Sequence, residues 1–184
     1  MTRELEVKVL KIDPVTMEQR IIDLGGQLIS RERQVNTLVD STMNPIKTNI
    51  DAYLRIRETK DLLSGVENIT LTLKKNIANK EVRENIEFNV GIDNKDTMLL
   101  LLDNLGFDKT TVGFKDRTSY SLFGARIDID TWDIDTYPHP YMEIEVERAE
   151  ILKNILELLE ILPENVSRLS IVELQKQLEE GIDA

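Results

Sequence analysis

Between Glu4 and Glu147 the chain returns repeatedly to a two-residue alternation of charged and aliphatic side chains, and this limits its fold more than any other feature. In "ELEVKVLKI", Glu4, Glu6 and Lys8 alternate with Leu5, Val7 and Val9. Successive side chains on a strand point to opposite faces, so this period makes a ribbon with one ionic and one apolar side. The same reading applies further along. Arg55 and Arg57 oppose Leu54 and Ile56, while Thr72 and Lys74 oppose Leu71 and Leu73. Arg83, Asn85 and Glu87 oppose Ile86, Phe88 and Val90, and Lys115 shares a face with Arg117. Arg126, Asp128 and Asp130 oppose Ile127 and Ile129, and Glu143, Glu145 and Glu147 oppose Ile144 and Val146.

Asn, Asp, Gly and Pro clusters such as "MNPIKTN" and "FGA" mark the turns between these strands. Helices interrupt them. Asp13 reads as an N-cap with Pro14 in the first helical position, and Gly25-Gly26 closes that helix. A second helix is predicted from about Asp93 to Leu105, ending at Gly106. Two more are predicted at roughly Arg148 to Leu162 and Ser170 to Glu180, broken at Pro163. The class is α+β with a mainly antiparallel sheet. Without an internal repeat or a linker-like tract, residues 1–184 are expected to form a single domain.

Alternating charges on one strand usually face water, and an ordinary sheet with solvated outer faces is the plain alternative. The grouping argues otherwise. The middle strands and the "KDR" strand supply cations, whereas the first strand and the last two supply carboxylates. The helices carry apolar stripes, Met17, Ile21 and Leu24 in the first and Ile151, Ile155, Leu158 and Leu162 in the third, that suit covering a sheet from outside. The ionic faces would then turn inward, and an eight-stranded sheet curling shut would enclose them. Burying so many charges is costly unless they pair with one another or meet charged ligands. A polyanion with divalent cations meets that need, with Arg and Lys on phosphate oxygens and carboxylates on hard metals.

Composition narrows the function further. With 184 residues, no cysteine and a net charge of −11, the chain offers no disulfide or thiolate site and no broad basic surface for duplex nucleic acid or anionic membrane. The run "MLLLL" is too short to span a bilayer, and the N-terminal residues lack a signal-peptide pattern, so a cytoplasmic location is expected.

These residues carry a resemblance. "ELEVK" matches the ExExK opening motif of the CYTH superfamily, the triphosphate tunnel metalloenzymes. That group includes class IV adenylyl cyclases and thiamine, inorganic and fungal RNA triphosphatases. The likeness continues in order through "YLRIRE", "LTLKK", "NLGF" followed by "FKDR", "IDIDTW" and "YMEIE". An isolated ExExK is a weak signal, and the ordered series is a strong one. The resemblance implies an eight-stranded antiparallel β-barrel with helices outside, its tunnel binding a triphosphate and Mg²⁺ or Mn²⁺. Carried over by position, Lys8, Arg55, Arg57, Lys74, Lys115 and Arg117 resemble the phosphate-binding cations, with Arg83 added from its place on a lining strand. Glu4, Glu6, Asp130, Glu143 and Glu145 resemble the metal-binding carboxylates, and Glu4, Glu6 and Lys8 are the expected catalytic group. Asp128 shares the face of Asp130, and Glu147 continues the row. Where cyclase-like members often carry a Gly-rich stretch, this chain has "DIDTYPHPYMEIE".

The resemblance thus implies a metal-dependent triphosphatase acting on inorganic, nucleoside or thiamine triphosphate, with adenylyl cyclase as the alternative. The expected partner is a small triphosphate or nucleotide, and an apolar outer barrel face leaves room for a homodimer. His139, between two prolines, is expected at the surface, Lys75 outside the barrel, and Trp132 in packing.

Overall fold

The structure, a computed structural model, describes residues 2–77 and 83–181; the side chains of residues 2–4 and of Arg83 lie outside that set, so Glu4 and Arg83 are placed by backbone register alone. The strands are β1 (Thr2–Val9), β2 (Gln27–Asp40), β3 (Ala52–Asp61), β4 (Glu67–Ile77), β5 (Arg83–Gly91), β6 (Lys109–Leu122), β7 (Ala125–Trp132), β8 (Tyr141–Val146) and the short β9 (Val166–Ser167). The helices are α1 (Pro14–Asp23), α2 (Ile46–Ile50), α3 (Lys95–Asn104), α4 (Ala149–Leu158) and α5 (Ile171–Glu179).

Strand order runs β5-β4-β3-β2-β6-β7-β8-β1, and β1 pairs back onto β5. Eight antiparallel strands therefore close into a barrel, with β9 as an extra strand beside β1. At the seam Glu4 lies opposite Asn85 and Glu6 opposite Arg83 on one side. On the other side Glu6 meets Glu145 and Lys8 meets Glu143. Closure leaves no edge to these strands, and the α+β barrel expected from the alternation is the one observed.

The apolar faces point outward beneath helices. Val7, Val9, Ile127, Ile129, Ile144 and Val146 pack against Met17 and Ile21 of α1 and Leu152 and Ile155 of α4. Complete burial of such side chains contributes about 1.5–3 kcal/mol each. On the opposite flank α3 sets Leu102, with Met98 and Leu99, over Val39, Ile56 and Leu71. With both flanks covered this way, strand parity turns the ionic faces inward.

α5 differs from the other helices. Its Leu174 is fully buried against Leu10, Tyr137 and Tyr141. Tyr141 shares the face of Glu143, and Leu10 continues the row of Lys8. α5 therefore covers the end of the barrel where β1 finishes and β8 begins. A capping box between Ser170 and Glu173 starts it.

Local signals set most helix boundaries. Asp13 accepts a hydrogen bond from Thr16 N at 2.8 Å, and Gly25 takes φ +86° beyond the end of α1. The next residue must also be Gly, because a Cβ on Gly26 would stand 2.7 Å from the Ile21 carbonyl oxygen. α3 begins later than Asp93 because Asn94 is its cap, accepting from Thr97 N at 2.8 Å. α4 stops at Leu158, short of the predicted Leu162. Glu160 then adopts φ 53°, and Leu158 and Leu162 of the predicted stripe are 44% and 56% exposed. The short α2 lies where the sequence predicts only a turn, its Ile46 N held by Asp40 Oδ1 at 2.8 Å.

Candidate functional site

Parity and register gather the acidic rows on one wall of the barrel. β7, β8 and β1 are consecutive neighbours, so Asp128 and Asp130, Glu143 and Glu145, and Glu6 face a common interior. Asp128 lies opposite Glu143, and Glu145 opposite Glu6. Asp130 is fully buried, and Asp128 and Glu6 are nearly so.

Cations from the same wall and its neighbours neutralise these carboxylates. Lys8 Nζ is 2.9 Å from Glu143 Oε1. Lys115 Nζ is 2.9 Å from Asp130 Oδ2. Arg117 reaches three carboxylates at once, donating through Nη2 to Asp130 and Glu143 at 2.6 Å each and through Nη1 to Asp128. Lys74 crosses from β4 to Glu6 at 3.2 Å and to Glu87 at 3.0 Å. Asn85 Nδ2 donates to Glu6 Oε1 at 2.9 Å. Charges this deep survive only because they are mutually compensated.

The opposite wall lacks such compensation. β3 sends Arg55 and Arg57 inward, and among the described residues neither has a carboxylate within ion-pair distance. Arg57 Nε donates to Asn36 Oδ1 of β2 at 2.8 Å. Among the described residues, Arg55 Nε and Asn36 Nδ2 are buried donors without an acceptor. Among the described residues the barrel is thus electrostatically polarised, with a paired acidic wall facing a basic wall whose two arginines have no carboxylate in ion-pair reach.

Titration follows this division. Burial opposes ionisation of Glu143 and Asp130, but Lys8 and Arg117 for the first, and Arg117 and Lys115 for the second, hold both below the ordinary carboxylate range. Burial disfavours the charge on Arg117 too, and its three carboxylates outweigh it and raise its pKa. On the basic side burial and the Arg55 and Arg117 charges push Arg57 down to about 9, so it stays charged at neutral pH. Burial and Arg117 lower Lys115 to about 7.

Hard divalent cations take carboxylate oxygens, and Glu6, Asp130, Glu143 and Glu145 supply these on adjoining strands. Among the described residues no three carboxylates already converge as a metal cage. Instead the Arg117 guanidinium draws Asp128, Asp130 and Glu143 together. The donor chemistry is that of a site for Mg²⁺ or Mn²⁺, and Arg117 bonds three of the carboxylates on this wall.

The residues expected away from the site are found there. Lys75 is exposed, as is His139, whose ring meets Tyr137 edge-on at 5.8 Å; Glu147, which continues the carboxylate row in sequence, is exposed as well. Trp132 packs in the α5 cluster and donates to Tyr141 OH at 2.8 Å, and Lys115 Nζ lies 5.1 Å from its ring centroid. Gln34 and Asn36 are neutral lining residues that the alternation of charge does not mark. Their signal was present, since both fall on one parity of β2 opposite Val35, but it lacked the charge that marked the other strands. A concavity of about 630 Å³ runs across β4, β3, β2, β6 and β7, lined both by the interior-facing Gln34 and Lys115 and by the outward Val35, Ile69 and Phe114.

A family model described as the CYTH domain matches residues 2–170. No curated protein matches the chain. Among solved structures, the PH1819 protein of Pyrococcus horikoshii OT3 is similar at 25% identity and a TM-score of 0.77, over 96% of this chain and 99% of that one. The PH1012 protein of the same organism follows at 22% identity and a TM-score of 0.75, over 93% and 98%. HpAC1 from Hippeastrum, a candidate adenylyl cyclase described as having a dominant triphosphatase activity, shares the fold at 15% identity and a TM-score of 0.64, over 100% and 98%.

Proposed function

The chain belongs to the CYTH family, and from that premise we propose that it is a divalent-metal-dependent hydrolase of triphosphate-containing substrates held inside the barrel. The observation that carries this reading is the basic wall. Two inward guanidiniums, Arg55 and Arg57, lack carboxylate partners among the described residues, although the neighbouring interior cations are paired. Such a wall suits an anion with many acceptor oxygens.

Attack at phosphorus needs charge neutralisation and in-line geometry more than a covalent contribution from the protein. Arg55 and Arg57 bind phosphate oxygens from one side, and Lys8, Lys74, Lys115 and Arg117 bind from the other. Arg83 joins them by its position on β5, opposite Glu6. Asp130, Glu143 and Glu145, with Glu6 and Glu4, would hold Mg²⁺ or Mn²⁺. Such an ion supplies positive charge on phosphate oxygens and lowers the pKa of a bound water. Lys115, whose pKa burial and Arg117 lower to about 7, gains a further counter-charge as the polyanion arrives. α5 keeps water from one end of the chamber.

Hydrolysis is the preferred reading over cyclisation because the Hippeastrum relative, named as a cyclase candidate, is described as mainly a triphosphatase. The test is a panel of inorganic triphosphate, ATP and thiamine triphosphate with Mg²⁺ or Mn²⁺. Release of phosphate supports hydrolysis; cyclic AMP with pyrophosphate from ATP assigns the cyclase instead. Turnover of none of them overturns the proposal.

A further inference from the structure

Asn36 sits near the middle of β2, 3% exposed, opposite Arg57 on one side and Gly113 on the other. Its amide orientation is fixed by chemistry. The Arg57 Nε that approaches it can only donate, so the atom facing Arg57 at 2.8 Å must be the carbonyl oxygen. The NH₂ group then points away, and this buried donor finds no acceptor among the described residues. Leaving a buried donor unmet is costly, and folded proteins rarely accept it without a reason.

The orphan has company. Arg55 Nε, two residues from Arg57 on the same face of β3, is also a buried donor without an acceptor among the described residues. Asn36 engages Arg57 through Nε alone, which leaves the two terminal nitrogens of that guanidinium to other partners. Asn36 Nδ2 and Arg55 Nε are thus two neighbouring buried donors without an acceptor among the described residues, beside an Arg57 guanidinium that has terminal donors to spare.

Resting on the reading of the barrel as a triphosphate site, we propose that Asn36 is a phosphate-positioning and phosphate-binding residue of this chain. Its Oδ1 steadies the Arg57 fork while its Nδ2 donates directly to a phosphate oxygen of the bound triphosphate. The amide is neutral, so it adds a directional donor without further charge repulsion beside Arg55 and Arg57.

The decisive variant is Asn36→Asp. A carboxylate at this position still accepts from Arg57 Nε, so a purely structural tether survives, but the NH₂ donor is gone and a negative charge faces the substrate. Binding of inorganic tripolyphosphate by calorimetry and its Mg²⁺-dependent turnover are compared for wild type, Asn36→Asp and Asn36→Ala, with thermal melts to establish folding. The inference expects Asn36→Asp to bind at least tenfold more weakly than wild type, and more weakly than Asn36→Ala, with the loss concentrated in KM. Asn36→Asp within twofold of an active wild type overturns the inference and leaves the triphosphate reading intact. A wild type that neither binds nor hydrolyses tripolyphosphate overturns both.

Discussion

Lys8 and Glu143 are cross-strand partners on β1 and β8, and their side chains meet at 2.9 Å inside the barrel. The same carboxylate also takes the Arg117 guanidinium at 2.6 Å. Glu143 therefore serves two cations from different strands, and its charge is the hinge of the acidic wall.

Replacing Glu143 by Gln keeps the side chain's size and removes that charge. Lys8 and Arg117 lose a shared counter-charge, and a proposed metal ligand disappears. Turnover of the triphosphate panel is expected to fall by about 100-fold or more. Far-UV circular dichroism should be unchanged, since the hydrophobic core lies on the other face of β8. Wild-type rates in this variant would refute its place in the site.

Arg57 yields the opposite sign for stability. It lies between Arg55 and Arg117 charges without a carboxylate partner among the described residues. Arg57→Met is expected to raise the melting temperature of the ligand-free protein by roughly 2–4 °C, equivalent to about 1 kcal/mol, while nearly abolishing activity. Wild type should gain stability when tripolyphosphate is added, about 2.7 kcal/mol at a hundredfold excess over Kd. The variant should gain little. A melting temperature below that of wild type would show that Arg57 packs the fold rather than waits for an anion.

Lys115 makes stability depend on pH. Burial and Arg117 bring its folded pKa to about 7, against 10.5 for an ordinary lysine. Between those values the unfolded chain holds the proton that the folded chain has released. The unfolded state binds more protons there, so this group's contribution to stability rises with pH from about 7 toward 10.5. Below pH 7 both states are protonated and the cost of the buried charge is present in full. Denaturant unfolding of wild type and Lys115→Met at intervals from pH 6 to 10 should show their stability difference changing in that window. A constant difference would place the lysine in an unperturbed environment.

Ile155 is a control. It is completely buried between α4 and the outer face of the sheet. Ile155→Ala should cost about 2–5 kcal/mol by chemical denaturation. Activity per folded molecule should stay at the wild-type level, because the side chain lies outside the barrel wall. A specific loss of turnover would mean that the helical coat shapes the interior.

Much of the fold was legible because the period of two appears in nearly every strand. Glu6, Lys8, Asp130 and Glu143 are charged residues flanked by aliphatics, and that pattern gave both the strand and the face. Helix starts were readable where a cap is written into the chain, as at Asp13. They were misplaced where two candidates adjoin, as at Asp93 and Asn94. The end of α4 was missed because no Gly or Pro stands at Glu160, where the backbone nevertheless turns left-handed. The distribution of pairing could not be read at all. Nothing in "YLRIRE" says that its arginines lack carboxylates among the described residues whereas Arg117 has three, since that depends on which strands become neighbours. Asn36 was overlooked for the same reason: its significance comes from Arg57, and register alone brings them together.

The seam of the barrel carries a consequence for the order in which the molecule comes into being. β1 is hydrogen-bonded on one flank to β5 and on the other to β8. β1 leaves the ribosome before β8 and must therefore wait for it before its second flank is filled. Pairing over such sequence separation is slow to nucleate. Until it happens Glu6 and Lys8 have no Glu145 or Glu143 beside them, so a nascent or C-terminally shortened chain ending before β8 possesses neither a complete wall nor an enclosed chamber. Competence arrives in one late step, with ring closure.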